Sequence, residues 1–338
     1  MRVGVIGGGI LGASVAWHLR RLGATVTVYD RGGSSATAGS FAWINASWGN
    51  DPVYRALRLE SMARWPALAA ALPDVGFRAC GGLLWDLGEA ELRAFAAEVG
   101  DYGRLVDRTE ATTLEPALRD PPALAFHAPG EAMVEAPLAA AALAGSVVPG
   151  EAILDAVQGR PGVRRGDTVE GFDAVVVAAG VASDSVLAPS GVRLAMTAPS
   201  GMLARSRPAP RVLNGLVMMP DMHLRQDARG RVVIGEDYAG SDPGEGAAAL
   251  AQALVAEAGR RLGVALAFDR LTRAGRPTPG DGRPAVGALP LPGVYLALSH
   301  SGVTLAPSIG AMLAREVVTG ERDPLIAPYA PERLVQPV

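Results

Sequence analysis

The stretch that most limits how this chain can fold is VGVIGGGILGASVAWHLRRLGATVTVYD, residues 3–30. Val3, Val5 and Ile6 form a short apolar run with strand character, and Gly7, Gly9 and Gly12 follow in the spacing G-x-G-x-x-G. The first glycine permits a tight turn, the second lets the backbone approach a pyrophosphate, and the third lets a helix pack closely on the sheet. That helix would turn its unpaired N–H groups and the positive end of its dipole toward the phosphate. Thr25 to Val28 supply a second strand ending at Asp30, where a carboxylate accepts hydrogen bonds from ribose hydroxyls and disfavours a 2′-phosphate. The spacing predicts a βαβ unit that binds a dinucleotide with a free ribose, FAD or NAD rather than NADP.

A length of 338 residues allows one large domain or two ordinary ones, and 49% apolar against 19% charged residues suits a well-buried interior. The net charge of −3 provides no basic footprint, so nucleic acid is not an expected partner. Cys80 stands alone, which excludes an intrachain disulfide and a cysteine metal site and points to a reducing cytoplasm; no metal is expected. The N-terminus is basic and then apolar, as in a signal peptide. Its glycines fit a nucleotide loop better, and no run reaches eighteen uninterrupted apolar residues, so no integral membrane segment is expected. All 31 Lys+Arg residues are arginine. Without lysine there is no internal Schiff base, which rules out ordinary pyridoxal-phosphate chemistry.

Residues 31–50, RGGSSATAGSFAWINASWGN, open with small side chains that let the backbone approach a ligand. Phe41, Trp43, Asn45 and Trp48 beyond them could wall a flat ring, although composition alone fits an ordinary mobile loop better. GVYLALSHSGVTLAPSIGAMLAREVVTG, residues 293–320, reads as a strand over Val294–Leu298, a tight loop, and a helix to about Val318. Thr304 is the expected N-cap, which leaves Pro307 in the first turn, where proline is tolerated. A second helix N-terminus thus leaves the carboxyl end of a strand, where open α/β sheets bind ligands. FDAVVVAAGVASD adds a strand over Ala174–Ala179 that ends at Gly180.

With the Gly7-Gly9-Gly12 loop and its Asp30, DAVVVAAG, AGRPTPGDGRPAVG and SHSGVTLAPSIGAMLA, the chain resembles the FAD-dependent amino-acid and amine oxidases, including D-amino-acid, glycine and sarcosine oxidases. The resemblance runs along nearly the whole chain and implies a Rossmann-like α/β FAD-binding domain from residues 1–45, 145–192 and 270–338. A discontinuous α+β substrate domain on an antiparallel sheet would take 46–144 and 193–269. It implies non-covalent FAD contacted by Gly7, Gly9, Ile10, Leu11, Gly12, Asp30, Arg31, Ser40, Phe41, Ala179, Gly180, Arg276, Ser301, Gly302, Val303 and Thr304. The loop from His300 to Thr304 would lie against the flavin ring, with the following helix aimed at its pyrimidine edge. Backbone N–H groups and a helix dipole there would stabilise the negative charge gained when a hydride reaches flavin N5.

Within the insertions, PVYRALRLESMARWPALAAAL gathers Tyr54, Leu57, Ser61 and Trp65 on one helical face. SGMLARS reads as a strand, MHLRQDARGRVVIGE as a hairpin around Ala228-Arg229-Gly230, and DPGEGAAALAQALVAEAGRRLG as a helix closed by Gly263.

The resemblance also implies that Arg276, in Gly275-Arg276-Pro277, grips the substrate carboxylate, a task for which the guanidinium fork is suited. The competing reading pairs Arg276 with Asp281 or makes it a turn cap; Arg283 is read as structural. The tyrosine that those oxidases place on a substrate-domain strand is missing from MHLRQD. His223 is the candidate replacement, with a strand histidine that merely faces solvent as the equal alternative. Tyr238 is a weaker candidate, and Arg225 shares the face of His223 by strand alternation. His300 belongs to the flavin-binding loop and is a further candidate near the reaction, while His18 and His127 are read as structural.

The expected reaction is oxidation of a C–N bond of an amino acid or secondary amine by hydride transfer to the flavin. Hydrolysis of the imine follows, and oxygen or a quinone is the electron acceptor. Two further readings remain open: a biosynthetic flavoenzyme acting on a tailored cyclic amine, and a flavin-binding subunit of a hetero-oligomeric amine dehydrogenase that is inactive alone.

Overall fold

The computed structural model describes residues 1–48, 50–157, 159–235 and 244–336. It is a mixed α/β structure organised by two large sheets. The first has six strands in the order Ala285–Ala288, Val294–Leu298, Ala174–Val177, Arg2–Ile6, Thr25–Asp30 and Val147–Pro149. All neighbours are parallel except the Ala285–Ala288 edge strand. Val3, Val5, Val175, Val176 and Val177 are wholly buried, as strands covered on both faces must be. Register aligns Ile6 with Tyr29 and with Val177, so these strands end together and release their loops on one side.

The first helix (Ile10–Arg21) and the last α-helix (Gly302–Thr319) pack against each other over this sheet. Small residues allow the approach: Ser14 Oγ donates to Ala306 O at 2.6 Å, and a Cβ on Gly310 would lie 2.1 Å from Ser14 Oγ. The two ends of the chain are thereby fastened into one layer.

Two details of the last helix depart from the sequence reading. Its N-cap is Ser301, not Thr304, whose hydroxyl instead donates to Trp43 O at 3.1 Å. Pro307 therefore lies past the first turn, where it withholds the N–H that Val303 O would receive. The indole N–H of Trp65 fills the gap, donating to Val303 O at 3.1 Å and Thr304 O at 3.2 Å. The expected Ala174–Ala179 strand ends at Val177, and its chain then turns through Gly180 at φ 58°.

The second sheet has eight strands in the order Phe268–Gly275, Ser200–Pro208, Arg231–Gly235, His223–Gln226, Leu216–Met218, Gly82–Leu84, Leu124–Ala128 and Arg104–Asp107. It is antiparallel save for the Leu216–Met218 and Gly82–Leu84 pair. The expected hairpin is there, turning at Gly230 with φ 79°. The helix Ala247–Arg261 covers one face through Ala251, Leu254, Val255 and Ala258. The Pro52–Ala70 helix buries Tyr54, Leu57, Ser61 and Trp65 as the period predicts, together with Arg58. Among the described residues, no helix is long and apolar enough to cross a membrane.

Candidate active site

The strand ends of the parallel sheet open onto a cleft of about 550 Å³, a size suited to a cofactor and a small substrate. Gly7, Gly9, Ile10, Leu11, Asp30, Arg31, Ser40, Phe41, Ala179, Gly180 and the loop His300 to Thr304 all line it. Gly12 does not; it packs beneath, where a Cβ would lie 2.0 Å from Gly7 O. Gly7 sits at φ 111°, and a Cβ there would lie 2.3 Å from Ala178 O. Gly9 lies in extended backbone as the N-cap, and a Cβ on it would meet Thr37 Oγ1 at 3.2 Å.

Both helix N-termini at the cleft lack an acidic residue in the first turn and a side-chain cap. Their amide groups present partial positive charge, which favours an anionic ligand. Only Ile10 N–H has a side-chain acceptor at the first helix, Thr37 Oγ1 at 3.0 Å, among the described residues. The Asp30 carboxylate accepts from Gly8 N–H and Gly32 N–H, each at 2.6 Å, and Asp30 lines the cleft. A long anionic dinucleotide fits this cradle: glycines where its phosphates need close backbone, a carboxylate for a ribose, and a second helix end for a ring that becomes negative.

Arg276, Gly201, Met202, Leu203 and His223 bring the antiparallel sheet to the same cleft. The alternative partner for Arg276 is otherwise engaged: Asp281 accepts from Arg333 Nε at 2.6 Å and from the Arg283 N–H at 2.9 Å. Arg283 pairs with Asp51 at 2.8 Å and lies over the Tyr54 ring, a structural position. The His223 ring lies 6.2 Å from Phe41 and 6.5 Å from Trp43, centroid to centroid. Arg225 shares its face but is buried, paired with Glu135 at 2.9 Å. His300 is exposed at the cleft. Tyr238 lies outside the described residues. His18 stays off the cleft lining, its pKa lowered to about 4 by burial and by Arg64 and Arg21. Among the described residues no cluster of His, Cys, Asp or Glu is suited to hold a metal.

Three residues escaped the sequence reading. Thr37 braces the glycine turn by accepting from Ile10 N–H. Arg58 lines the cleft from a helical face otherwise made of apolar and hydroxyl groups. Glu131, fully buried, accepts from Tyr102 Oη at 2.6 Å, Trp43 Nε1 at 2.6 Å and the Ser47 hydroxyl. Burial pushes its pKa up to about 7, against the pull of those hydrogen bonds and of the Arg58 charge.

Comparison with known proteins agrees with this geometry. Residues 2–316 match the DAO family, FAD dependent oxidoreductase. The uncharacterized oxidoreductase YurR of Bacillus subtilis is 31% identical, with 97% of each chain covered. The glycine oxidase of Pseudomonas putida is 29% identical, with 98% of each covered. The crystal structure of iminodiacetate oxidase from Chelativorans is 27% identical, with a TM-score of 0.84 over 98% of this chain and 99% of that one. A cleft built for an anionic dinucleotide and a match across almost the whole chain lead to one conclusion: the protein belongs to the family of FAD-dependent oxidoreductases, with FAD as its cofactor.

Proposed function

We propose that the protein oxidises the C–N bond of a carboxylate-bearing amine, with Arg276 as the anchor for the carboxylate. The observation that carries this reading is that Arg276 lines the same cleft as the glycine turn and the N-terminus of the last helix. The relatives support it: glycine and iminodiacetate, the substrates in the names of two of them, share an N–CH2–COO⁻ unit.

FAD, when bound, supplies the acceptor for the hydrogen of that carbon. The chain's own part is binding and orientation. Arg276 holds the carboxylate in a fork of charge-assisted bonds, worth about 1.5–3 kcal/mol each. Phe41, Trp43 and His223 wall the amine side and exclude water, so the nitrogen is met as the neutral base. Orientation carries the rate, and no general base is needed. Water then hydrolyses the imine to a keto acid and an amine or ammonia. Oxygen as acceptor and the cytoplasm as location belong to the same proposal.

The division 1–45, 145–192 and 270–338 for FAD and 46–144 and 193–269 for substrate is proposed with two changes. The helices Pro52–Ala70 and Ala136–Ala144 pack against the last and the first helix, respectively, and join the FAD side. One junction is redrawn after Gly275, because Phe268–Gly275 is an edge strand of the eight-stranded sheet.

The test is anaerobic. Holoenzyme is mixed with glycine, sarcosine, iminodiacetate, D-amino acids and amines without a carboxylate, and bleaching of the yellow absorbance is recorded. Carboxylate-bearing amines are expected to bleach it, and Arg276→Leu to raise their KM about tenfold or more. Unchanged KM in that variant, or bleaching by uncharged amines alone, overturns the assignment.

A further inference from the structure

We infer that Arg58 is a buried fixed charge that sets the electron affinity of the bound FAD. Its side chain, 6% exposed, rises from the Pro52–Ala70 helix to line the cleft. The guanidinium donates to Asn45 O at 2.9 Å, Asn45 Oδ1 at 2.6 Å, Ser301 Oγ at 2.8 Å and Tyr54 Oη at 3.4 Å. It also lies 5.4 Å from the Tyr54 ring centroid. Every one of these acceptors is an uncharged oxygen.

A guanidinium cannot escape burial by losing its proton, as a lysine or histidine can. The carboxylate whose ionisation it influences, Glu131, directs its own oxygens to Ser47, Tyr102 and Trp43. Among the described residues no carboxylate hydrogen-bonds Arg58, and Glu131 reaches it only through space. Arg58 is thus a hydrogen-bonded cation without a direct ion-pair partner, in a setting where a charge acts strongly on its neighbours.

Its contact with Ser301 fixes where that charge is felt. Ser301 is the N-cap of the last helix, so the cation adds to the positive end of the helix dipole. The inference rests on the reading that this helix end faces the flavin ring. Negative charge gained there on reduction meets a preorganised cation and amide groups together, and reduction is favoured.

The test compares FAD-loaded wild type with Arg58→Met, Arg58→Lys and Asn45→Asp. Arg58→Met removes the charge, whereas Arg58→Lys keeps it and loses the fork. Asn45→Asp places a carboxylate at the position of Oδ1 and neutralises Arg58 while leaving its hydrogen bonds in place. Sulfite, an anion that adds to electron-poor flavins, is titrated into each, and the midpoint potential is measured with reference dyes.

Arg58→Met and Asn45→Asp are each expected to weaken sulfite binding about tenfold. The potential is expected to fall with them, and for a two-electron couple tenfold is about 30 mV. Arg58→Lys should stay within threefold of wild type. Shifts below threefold in Asn45→Asp, or a loss in Arg58→Lys equal to that in Arg58→Met, show a strut and overturn the inference. Asn45→Asp decides alone if Arg58→Met does not fold. A wild-type chain that takes up no FAD breaks the underlying reading first, before any variant is compared.

Discussion

A methyl group on Gly201 would lie 2.6 Å from Nε of Arg276, so the arginine takes up its position only because residue 201 has no side chain. The two meet across the junction of the sheets, Gly201 on a strand paired with the one that ends just before Arg276. Gly201→Ala is therefore expected to deflect the flexible guanidinium while sparing the backbone. Steady-state kinetics should show KM for a carboxylate-bearing amine raised about ten- to a hundredfold, matching one or two lost charge-assisted bonds. FAD affinity and Tm should change little. An unchanged KM would mean that the guanidinium reaches the carboxylate from another direction.

Glu131 makes stability depend on pH in a predictable direction. Its folded pKa of about 7 exceeds the ordinary carboxyl value, so between about pH 4.5 and 7 the folded chain keeps a proton that the unfolded chain has lost. The stabilisation is complete below that window and is lost as pH rises through it, by about 3 kcal/mol in all. Glu131→Gln cannot ionise. The Tm of Glu131→Gln minus that of wild type should grow from pH 5 to pH 8; a flat difference refutes the shifted pKa.

The glycines of the first loop should separate into two kinds. Gly12→Ala drives a methyl into Gly7 O at 2.0 Å and should destabilise the apoprotein by about 1–3 kcal/mol in urea unfolding. Gly9→Ala meets the Thr37 hydroxyl at 3.2 Å and otherwise intrudes on the cleft. It should fold normally yet bind FAD at least about tenfold more weakly, as followed by flavin fluorescence.

Trp65→Phe removes the N–H that serves the carbonyls of Val303 and Thr304. Leaving buried acceptors unsatisfied costs about 1–3 kcal/mol. The loss should appear in urea unfolding of the apoprotein, and the loosened first turn should also weaken retention of FAD.

How much of this was legible beforehand differs from element to element for physical reasons. The first loop was readable because backbone geometry there demands glycine at fixed spacing. The strand Val294–Leu298 appeared where it was drawn because both of its faces are buried and its run is bounded by a glycine and a polar loop. The N-cap was misplaced by three residues: Ser301 and Thr304 are both plausible caps, and only tertiary contact with Trp43 draws the Thr304 hydroxyl away.

Arg58 was visible in principle. It lies four residues after Tyr54 and seven before Trp65 on an apolar face, a place where a charge needs explanation. Glu131 offered no such signal, since it follows Pro129-Gly130 in an ordinary turn. Its burial comes from Trp43, Ser47 and Tyr102, all remote in sequence.

The joining of the first and last helices has a consequence for biogenesis. While the ribosome is still decoding the middle of the message, the strand Arg2–Ile6 has no Ala174–Val177 beside it, and the first helix has no Gly302–Thr319 to cover it. Non-local pairings of this kind fold slowly and leave sticky intermediates exposed. The nascent chain thus keeps apolar faces uncovered for most of its synthesis, and the cleft is complete only after translation has passed the last helix.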